Sequence, residues 1–452
     1  MASKTTTSFT RRVLGRLGLA AVAAVCLLVG ALGTAAAQIQ VAERVSPGGI
    51  AFWHVEEQSI PMVAFEARFR GGAALDAEGK DGTARMVMAL LDEGAGARDA
   101  SAFAAEAESL AARFGFDAGR DTVSVSARML AENLDASAAL LAEALSAPRL
   151  DDEAVARVRT QLLSSIASDE TDPQSLARDA FYARAFAGHP YARRVDGTAE
   201  SVGALSVEDL RAGHARAMTR DRAIVAVVGA VDGEAAGALV DTIMAGLPAG
   251  EGDIALPPLP VAEPPAGIDV IDLAVPQSVA VFGQVGLPRE DPDYIPAYVM
   301  NYVLGGGGFA SRLMTEVREK RGLAYGVYSY LTDLDGAPLY IGGVSTANER
   351  IAESLEVIRA EWTRMAEEGV GAEELEKAKR YLTGAFPLRF DTNAKIARFL
   401  VAAQQAGLEA DYVQKRNGLI EAVTAEDISR IAARLLRPEA LSVTVVGQPA
   451  GL

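Results

Sequence analysis

The chain has 452 residues, of which 50% are hydrophobic, and its 60 acidic against 43 basic residues give a net charge of −17. This balance argues against nucleic acid as a partner, because phosphate binding rests on a basic face. The length is sufficient for two or three domains with full hydrophobic cores.

The N-terminus is typical of an export signal. A basic segment is followed by an apolar run over residues 17–32 and by the small residues Ala35, Ala36 and Ala37. We predict that residues 1–37 are a signal peptide, that the protein is exported to the periplasm, and that no stable membrane insertion remains after cleavage. An uncleaved anchor and a twin-arginine route are the alternatives.

The next part, residues 38–246, is predicted to form an N-terminal domain of mixed strands and helices. The predicted strands are 39–45, 50–55, 61–69, 122–127 and 223–229, and the predicted helices are 82–91, 100–113, 132–145, 152–166, 173–186 and 206–218.

A proline-rich passage over residues 247–267 interrupts this pattern. Proline at such density cannot enter a helix interior or a central strand, so we predict an extended linker. Residues 268–452 then form the predicted C-terminal domain. Its predicted strands are 268–273, 279–285, 339–345 and 441–446, and its predicted helices are 293–304, a helix capped by residues 346–349 and ending near 367, 373–382, 393–405 and 424–436.

The two halves repeat each other. Residues 205–229 align with residues 423–447 without a gap, and the aligned pairs include Asp209 with Asp427 and Gly229 with Gly447. Chance similarity of two capped helices is the alternative to duplication. We predict an α+β protein with two homologous α/β-sandwich domains, each an antiparallel-rich sheet packed by helices, related by internal duplication and facing a clam-like cleft.

The segment with the most distinctive chemistry is residues 304–330, LGGGGFASRLMTEVREKRGLAYGVYSY. Arg318 and Tyr325 lie seven residues apart across a turn at Gly322. A guanidinium and a phenol placed in this way can converge on one small polar target, such as a peptide carbonyl. The alternative is a solvated arginine after a helix and a tyrosine on a strand.

This segment, together with residues 181–229 and 371–386, resembles the pitrilysin/insulinase family of metallopeptidases, in its short, two-domain, processing-peptidase-like form. The resemblance covers essentially all of the chain after residue 37. It implies that Arg318 and Tyr325 bind the backbone of a peptide substrate and help to polarise its scissile carbonyl, a form of oxyanion stabilisation.

The zinc motif of that family, His-x-x-Glu-His on a helix, falls on residues 85–89 and is lost. The two histidine positions hold Arg85 and Ala89, the general-base position holds Met88, and the distal glutamate falls on Ser165. We therefore predict no metal site and no catalytic residue in this chain. The substrate-binding strand of active relatives falls on residues 116–127, where Asp117 replaces the favoured asparagine, so peptide docking on this half is doubtful.

No other residues form a recognisable catalytic set. The three histidines, His54, His189 and His214, lack ligand spacing, and neither a phosphate loop nor a Gly-x-Ser-x-Gly elbow occurs. The favoured interpretation is a non-catalytic, substrate-binding subunit of an exported heterodimeric zinc metallopeptidase, with the zinc in a homologous partner subunit. The alternatives are a catalytically dead scaffold or peptide-binding protein, and an independent hydrolase with novel metal ligands.

Overall fold

A computed structural model describes residues 39–250 and 264–452. The predicted signal peptide and the middle of the predicted linker lie outside the described residues. Within the described part, no helix combines the length and the apolar composition that a membrane crossing requires.

The strands and helices follow one another in mixed order along the chain. The strands are β1 Ala42–Val45, β2 Ala51–Glu56, β3 Met62–Arg70, β4 Gly94–Ala95, β5 Arg98–Asp99, β6 Arg113–Ala118, β7 Thr122–Leu130, β8 Ala223–Gly229, β9 Gly267–Asp272, β10 Gln277–Val285, β11 Ala324–Leu334, β12 Ala337–Ala347 and β13 Ser442–Gly447. The α-helices are α1 Thr83–Met88, α2 Ala100–Ser109, α3 Leu134–Ser146, α4 Asp152–Asp169, α5 Pro173–Ala185, α6 Ala199–Ala204, α7 Val207–Ala217, α8 Gly233–Met244, α9 Tyr294–Asn301, α10 Ile351–Glu368, α11 Ala372–Gly384, α12 Asn393–Gln405, α13 Tyr412–Glu421 and α14 Ala425–Leu435.

The two main sheets share a five-strand topology, to which the first sheet adds β1 at one edge. The first has the strand order β1-β2-β8-β3-β7-β6, and the second, read from its opposite edge, has the order β9-β13-β10-β12-β11. In each sheet one pair is parallel, β2 with β8 and β9 with β13, and the remaining pairs are antiparallel. This confirms the predicted fold class of two homologous sheet-and-helix domains.

The repeated segments adopt the same local structure. The helices α7 and α14 both begin with a capping box, in which Asp209 N donates to Ser206 Oγ at 3.2 Å and Asp427 N donates to Thr424 Oγ1 at 3.1 Å. Hydrogen bonds from the cap residues contribute to lowering the pKa of both aspartates to about 2. The strands that follow end at glycines with φ of 141° and 143°, a conformation that favours glycine.

Each half of the sequence supplies one helix to the sheet of the other half. Helix α5 packs on β10 and β13 of the second sheet, and α12 packs on β3 and β8 of the first sheet. Arg184 Nη1 of α5 donates to the Val443 carbonyl at 3.1 Å, and Gln404 Nε2 of α12 donates to the Val225 carbonyl at 3.0 Å. Because Val225 and Val443 are equivalent positions of the repeat, the exchange of helices follows the same pseudo-symmetry.

Apolar packing reinforces this exchange. Phe181 of α5 is buried, and a Cβ added to Gly283 of β10 would lie 2.8 Å from its Cζ atom. The ring therefore lies directly on the strand, in a cluster that also contains Leu339 and Ile341 of the second sheet. The halves are held together by a hydrophobic core as well as by hydrogen bonds.

The predicted cap at residues 346–349 is wrong. Thr346 lies in β12, where its hydroxyl donates to the Leu323 carbonyl, and α10 begins only at Ile351, without a side-chain cap. A threonine suits a strand as well as a cap, and here pairing with β10 and β11 decides its conformation. The sequence interpretation also left out helices α6, α8 and α13, although Asp232 caps α8 by accepting bonds from two backbone N–H groups.

Candidate functional site

The residues around Arg318 form two unusually wide helical turns. Tyr302–Gly306 and Met314–Glu319 are π-helical, and in the second the Lys320 N–H donates to the Thr315 carbonyl, five residues back, at 3.0 Å. Turns of this kind are rare and occur often at functional sites. The second turn carries Arg318.

Tyr325 lies on a β-bulge at the start of β11. Ala324 pairs with Thr346 and Gly326 pairs with Ser345, so that Tyr325 is the extra residue with no partner in β12. A bulge of this kind redirects a side chain out of the regular pattern of the sheet. Tyr325 is accordingly 85% exposed, although Ala324 beside it is buried.

The structure brings Arg318 and Tyr325 together and adds a third residue. The Arg318 Cζ atom lies 4.6 Å from the centre of the Tyr325 ring and 4.6 Å from the centre of the Phe309 ring. Both contacts are within the range of a cation–π interaction. The guanidinium is therefore held between two exposed rings, and sequence reasoning missed Phe309. The available signal was an aromatic residue directly after a run of glycines.

Arg318 also differs from the other basic residues of this segment in its charge partners. Lys320 and Arg321 both pair with Glu316, at 2.7 and 2.6 Å, and hydrogen bonds from Lys320 first and Arg321 second lower the pKa of that carboxyl. Arg312 pairs with Glu374 at 2.7 Å. Arg318 makes no ion pair with any residue in the described ranges. Its charge is thus available to a ligand.

The pair borders a groove of about 900 Å³. Tyr328 lines it from the edge strand β11, Ser345 from β12, and Gln174 from helix α5 of the other half. Further along β11, Tyr330 stacks on Tyr328 with ring centres 6.1 Å apart. The groove therefore presents aromatic surface, one cation and hydroxyl groups, a combination suited to an extended polypeptide.

The helix that carries the degenerate zinc motif, α1, is fastened by an arginine. Arg85 Nε lies 3.0 Å from an Asp196 carboxylate oxygen, and an Arg85 Nη1 N–H donates to Asp117 on the edge strand β6. Met88, in the general-base position, is buried in the first hydrophobic core. Ala89, in the second histidine position, is exposed.

These residues do not fit a zinc ion. The positions that would carry ligands hold a guanidinium, a methyl group and, at Ser165, an exposed hydroxyl. Nowhere in residues 39–250 and 264–452 do three or more His, Cys, Asp or Glu side chains cluster in a way that could hold a metal ion.

The three histidines have structural partners instead. His54 Nε2 lies 3.0 Å from the Val231 carbonyl and His214 Nε2 lies 2.7 Å from the Leu145 carbonyl, and burial lowers the pKa of both rings. His189 caps a short helical turn by accepting a bond from a backbone N–H at 3.2 Å. All three have packing or capping contacts.

The duplicated sandwich domains, the exposed arginine–tyrosine pair and the erased zinc motif define a metallopeptidase-like protein without catalytic ligands in its described residues. Two family models match the chain: "Insulinase (Peptidase family M16)" over residues 56–199 and "Peptidase M16 inactive domain" over residues 204–382. A solved structure described as the peptidase M16 inactive domain from Pseudomonas fluorescens is 30% identical, with a TM-score of 0.86, and the match covers 91% of this chain and 98% of that chain. The chain belongs to the peptidase M16 family.

Two curated relatives bear on its role. The "Non-peptidase homolog YmxG" of Helicobacter pylori is 26% identical over 369 residues, covering 81% of this chain and 85% of that protein. The "Mitochondrial-processing peptidase subunit beta" of Lentinula edodes is 23% identical over 402 residues, covering 84% of each.

Proposed function

We propose that this chain is the non-catalytic, substrate-binding subunit of an exported heterodimeric zinc metallopeptidase. The observation that carries the proposal is the contrast between two arginines. Arg85 forms ion pairs with two carboxylates at the position of the zinc motif, whereas Arg318 lies between two exposed rings and has no acidic partner in the part of the chain that the structure describes. Arg85 therefore occupies the position of a zinc ligand without being able to bind zinc. The Arg318 guanidinium is accessible to a ligand.

In this proposal Arg318 and Tyr325 act on a peptide held by a zinc-bearing partner subunit. The guanidinium N–H groups and the phenol O–H are donors, and a carbonyl oxygen of the substrate accepts from them. Donors placed where negative charge develops lower the barrier to attack on the carbonyl. In this proposal the partner supplies the zinc and the activated water, and this chain supplies the hydrogen-bond donors that bind the substrate.

The pairing and the export rest on different support. Similarity to a protein named as a processing-peptidase subunit favours a two-chain assembly. Export to the periplasm rests on the basic and apolar pattern of residues 1–37.

The experiment is a co-purification from the native host, with zinc measured on each chain. We expect the isolated chain to be inert on peptides and the complex to cleave them. Arg318→Ala should lower turnover about 10²–10³-fold, as loss of one oxyanion donor does, without changing assembly. Arg321→Ala is the matched control, because Arg321 is in the same segment but paired with Glu316. Undiminished turnover of the Arg318→Ala complex contradicts the proposal.

The second candidate is a pseudo-peptidase that binds peptides or serves as a scaffold. It is favoured by the relative named as a non-peptidase homolog. A neighbouring reading frame that encodes His-x-x-Glu-His would favour the peptidase pair. A stable assembly that binds peptides but never cleaves them would favour the scaffold.

A further inference from the structure

A second cavity, of about 200 Å³, lies in the C-terminal half between helices α9, α12 and α13. Three arginines line it, Arg289, Arg389 and Arg416, and none of the described residues that line it is Asp or Glu. The remainder of the wall is tyrosine and apolar surface, including Phe399 and Leu408. In a chain with 60 acidic and 43 basic residues, a wall with three cations and no acid calls for a physical reason.

None of the three arginines has an acidic partner at ion-pair distance among the described residues. Arg416 is only 5% exposed, and its hydrogen-bond acceptors are neutral: the Leu382 carbonyl at 3.1 Å, Asn417 Oδ1 at 3.2 Å and the Tyr298 hydroxyl at 3.3 Å. The centre of the Phe386 ring lies 4.1 Å from its Cζ atom. A guanidinium keeps its charge at any physiological pH. Burying that charge without a counter-ion is costly, so the site favours an anion.

The second arginine and the phenols add donors to the same wall. Arg289 Nη2 donates to the Tyr412 hydroxyl at 2.7 Å, and its Cζ lies 4.1 Å from the centre of the Tyr294 ring. Because the Tyr412 and Tyr298 oxygens accept from arginines, their O–H groups remain to donate. The cavity thus combines guanidinium and hydroxyl donors with an apolar body.

Acids that neighbour the lining residues in sequence are engaged elsewhere. Glu409 and Asp411 pair with Lys415 at 2.9 and 2.7 Å, and Glu290 borders a different cavity. Asp333 accepts a bond from the backbone N–H of Arg289 at 3.0 Å and, with Glu290, lines the neighbouring space, which Arg289 also borders. None of these acids is among the described residues that line the small cavity.

We infer that this cavity binds a carboxylate carried on a compact apolar group. The carboxylate takes the place of the missing acid between Arg289 and Arg416, and the apolar group packs against Phe399 and Leu408. Two sources share this chemistry: a free organic acid and the C-terminal residue of a peptide. The inference does not depend on the role of Arg318.

The test is calorimetric titration of the full chain with four probes: 3-phenylpropanoate, its amide, N-acetylphenylalanine and its amide. We expect at least one acid to bind and its amide to bind at least about tenfold more weakly, since a charge-assisted bond is lost. Binding of 3-phenylpropanoate alone identifies a free acid, and binding of N-acetylphenylalanine alone identifies a peptide C-terminus. Binding of both shows that the carboxylate and ring suffice.

Two variants connect the affinity to this wall. Arg289→Gln should weaken binding of the acid at least about tenfold, and Tyr412→Phe, which keeps the ring, should weaken it about threefold to tenfold. Arg380→Gln removes the same charge from an exposed position outside the cavity and should leave affinity unchanged. Equal affinity for acid and amide, no binding of either acid at millimolar concentration, or unchanged affinity in both cavity variants would overturn the inference.

Discussion

Arg184 and Gln404 make the same contact in the two halves of the molecule, because each donates to a backbone carbonyl of an inner strand that belongs to the other half. The two helices that carry them are both 13 residues long. Each sheet is therefore completed by a helix from the other end of the sequence. Stability should depend strongly on this exchange.

The first prediction concerns Phe181, the buried ring that α5 places on Gly283. We expect Phe181→Ala to lower the free energy of unfolding by about 3–5 kcal/mol, because a large buried side chain is removed and a cavity remains. Urea denaturation measures it. Leu388→Ala, at an exposed position, is the control and should cost less than about 0.5 kcal/mol. A loss for Phe181→Ala as small as that of the control would show that α5 is not essential to the second sheet.

The second prediction concerns Glu66, a buried carboxyl of β3 near Arg398 and Arg68. Burial raises its pKa to about 7, against 4.5 when exposed. The unfolded chain therefore loses this proton at lower pH than the folded chain. The contribution of Glu66 to the free energy of unfolding should fall by on the order of 3 kcal/mol as the pH rises from about 4.5 to about 7. Above pH 7 this contribution should stay constant.

Denaturation of Glu66→Gln at pH 5 and pH 8 checks this. In the variant, the part of the decrease in unfolding free energy that Glu66 causes between pH 5 and pH 8 should be absent. The variant should therefore be more stable than the natural chain at pH 8. Asp76, whose pKa burial also raises to about 7, should leave a residual fall in the variant. Glu349→Gln, at an exposed position, is the control. An identical pH profile for Glu66→Gln and the natural chain would contradict the assignment.

The third prediction concerns the erased zinc motif. Arg85→His with Ala89→His places two imidazoles four residues apart, one on α1 and one at the residue that caps its C-terminal end. We expect calorimetry to detect weak zinc binding, because two ligands are fewer than a catalytic site uses, and no peptide hydrolysis, because Met88 supplies no base. Each single substitution serves as the control. Chelator-sensitive proteolysis by the double variant would contradict the prediction, because it would show that the two histidines suffice for hydrolysis without a base at Met88.

The fourth prediction separates the two functions of Tyr325. Tyr325→Phe keeps the ring that stacks on Arg318 and removes only the hydroxyl. We expect unchanged thermal stability, because the side chain is exposed, and affinity for an extended peptide lower by about threefold to tenfold. Fluorescence anisotropy with a labelled peptide measures the affinity. Tyr381→Phe, an exposed tyrosine outside the groove, is the control. Unchanged peptide affinity in Tyr325→Phe would show that the Tyr325 hydroxyl does not contribute to peptide binding.

Local signals accounted for much of the fold. The capping boxes at Ser206 and Thr424 are set by neighbouring residues and could be predicted, and the ungapped repeat predicted the matching sheets. Thr346 shows the limit of such signals. Its sequence pattern is typical of a helix cap, but it lies in β12 because it pairs with β10 and β11. The placement of α12 on the first sheet is a contact over hundreds of residues, which no local pattern encodes.

The same division applies to the candidate site. Arg318 and Tyr325 could be proposed from the sequence because a turn at Gly322 brings them near each other. The bulge that exposes Tyr325 depends on its register with β12, and the Phe309 contact depends on the π-helical turns. The cavity around Arg416 is lined by residues from several separate elements. No single segment of the sequence predicts it.

The Arg85 contacts have a consequence for folding. Arg85 of α1 reaches Asp117 on β6 and Asp196 in the loop before α6, so opposite charges of the polypeptide itself join these segments. Treatment with a chelator should therefore leave the packing of α1 unchanged.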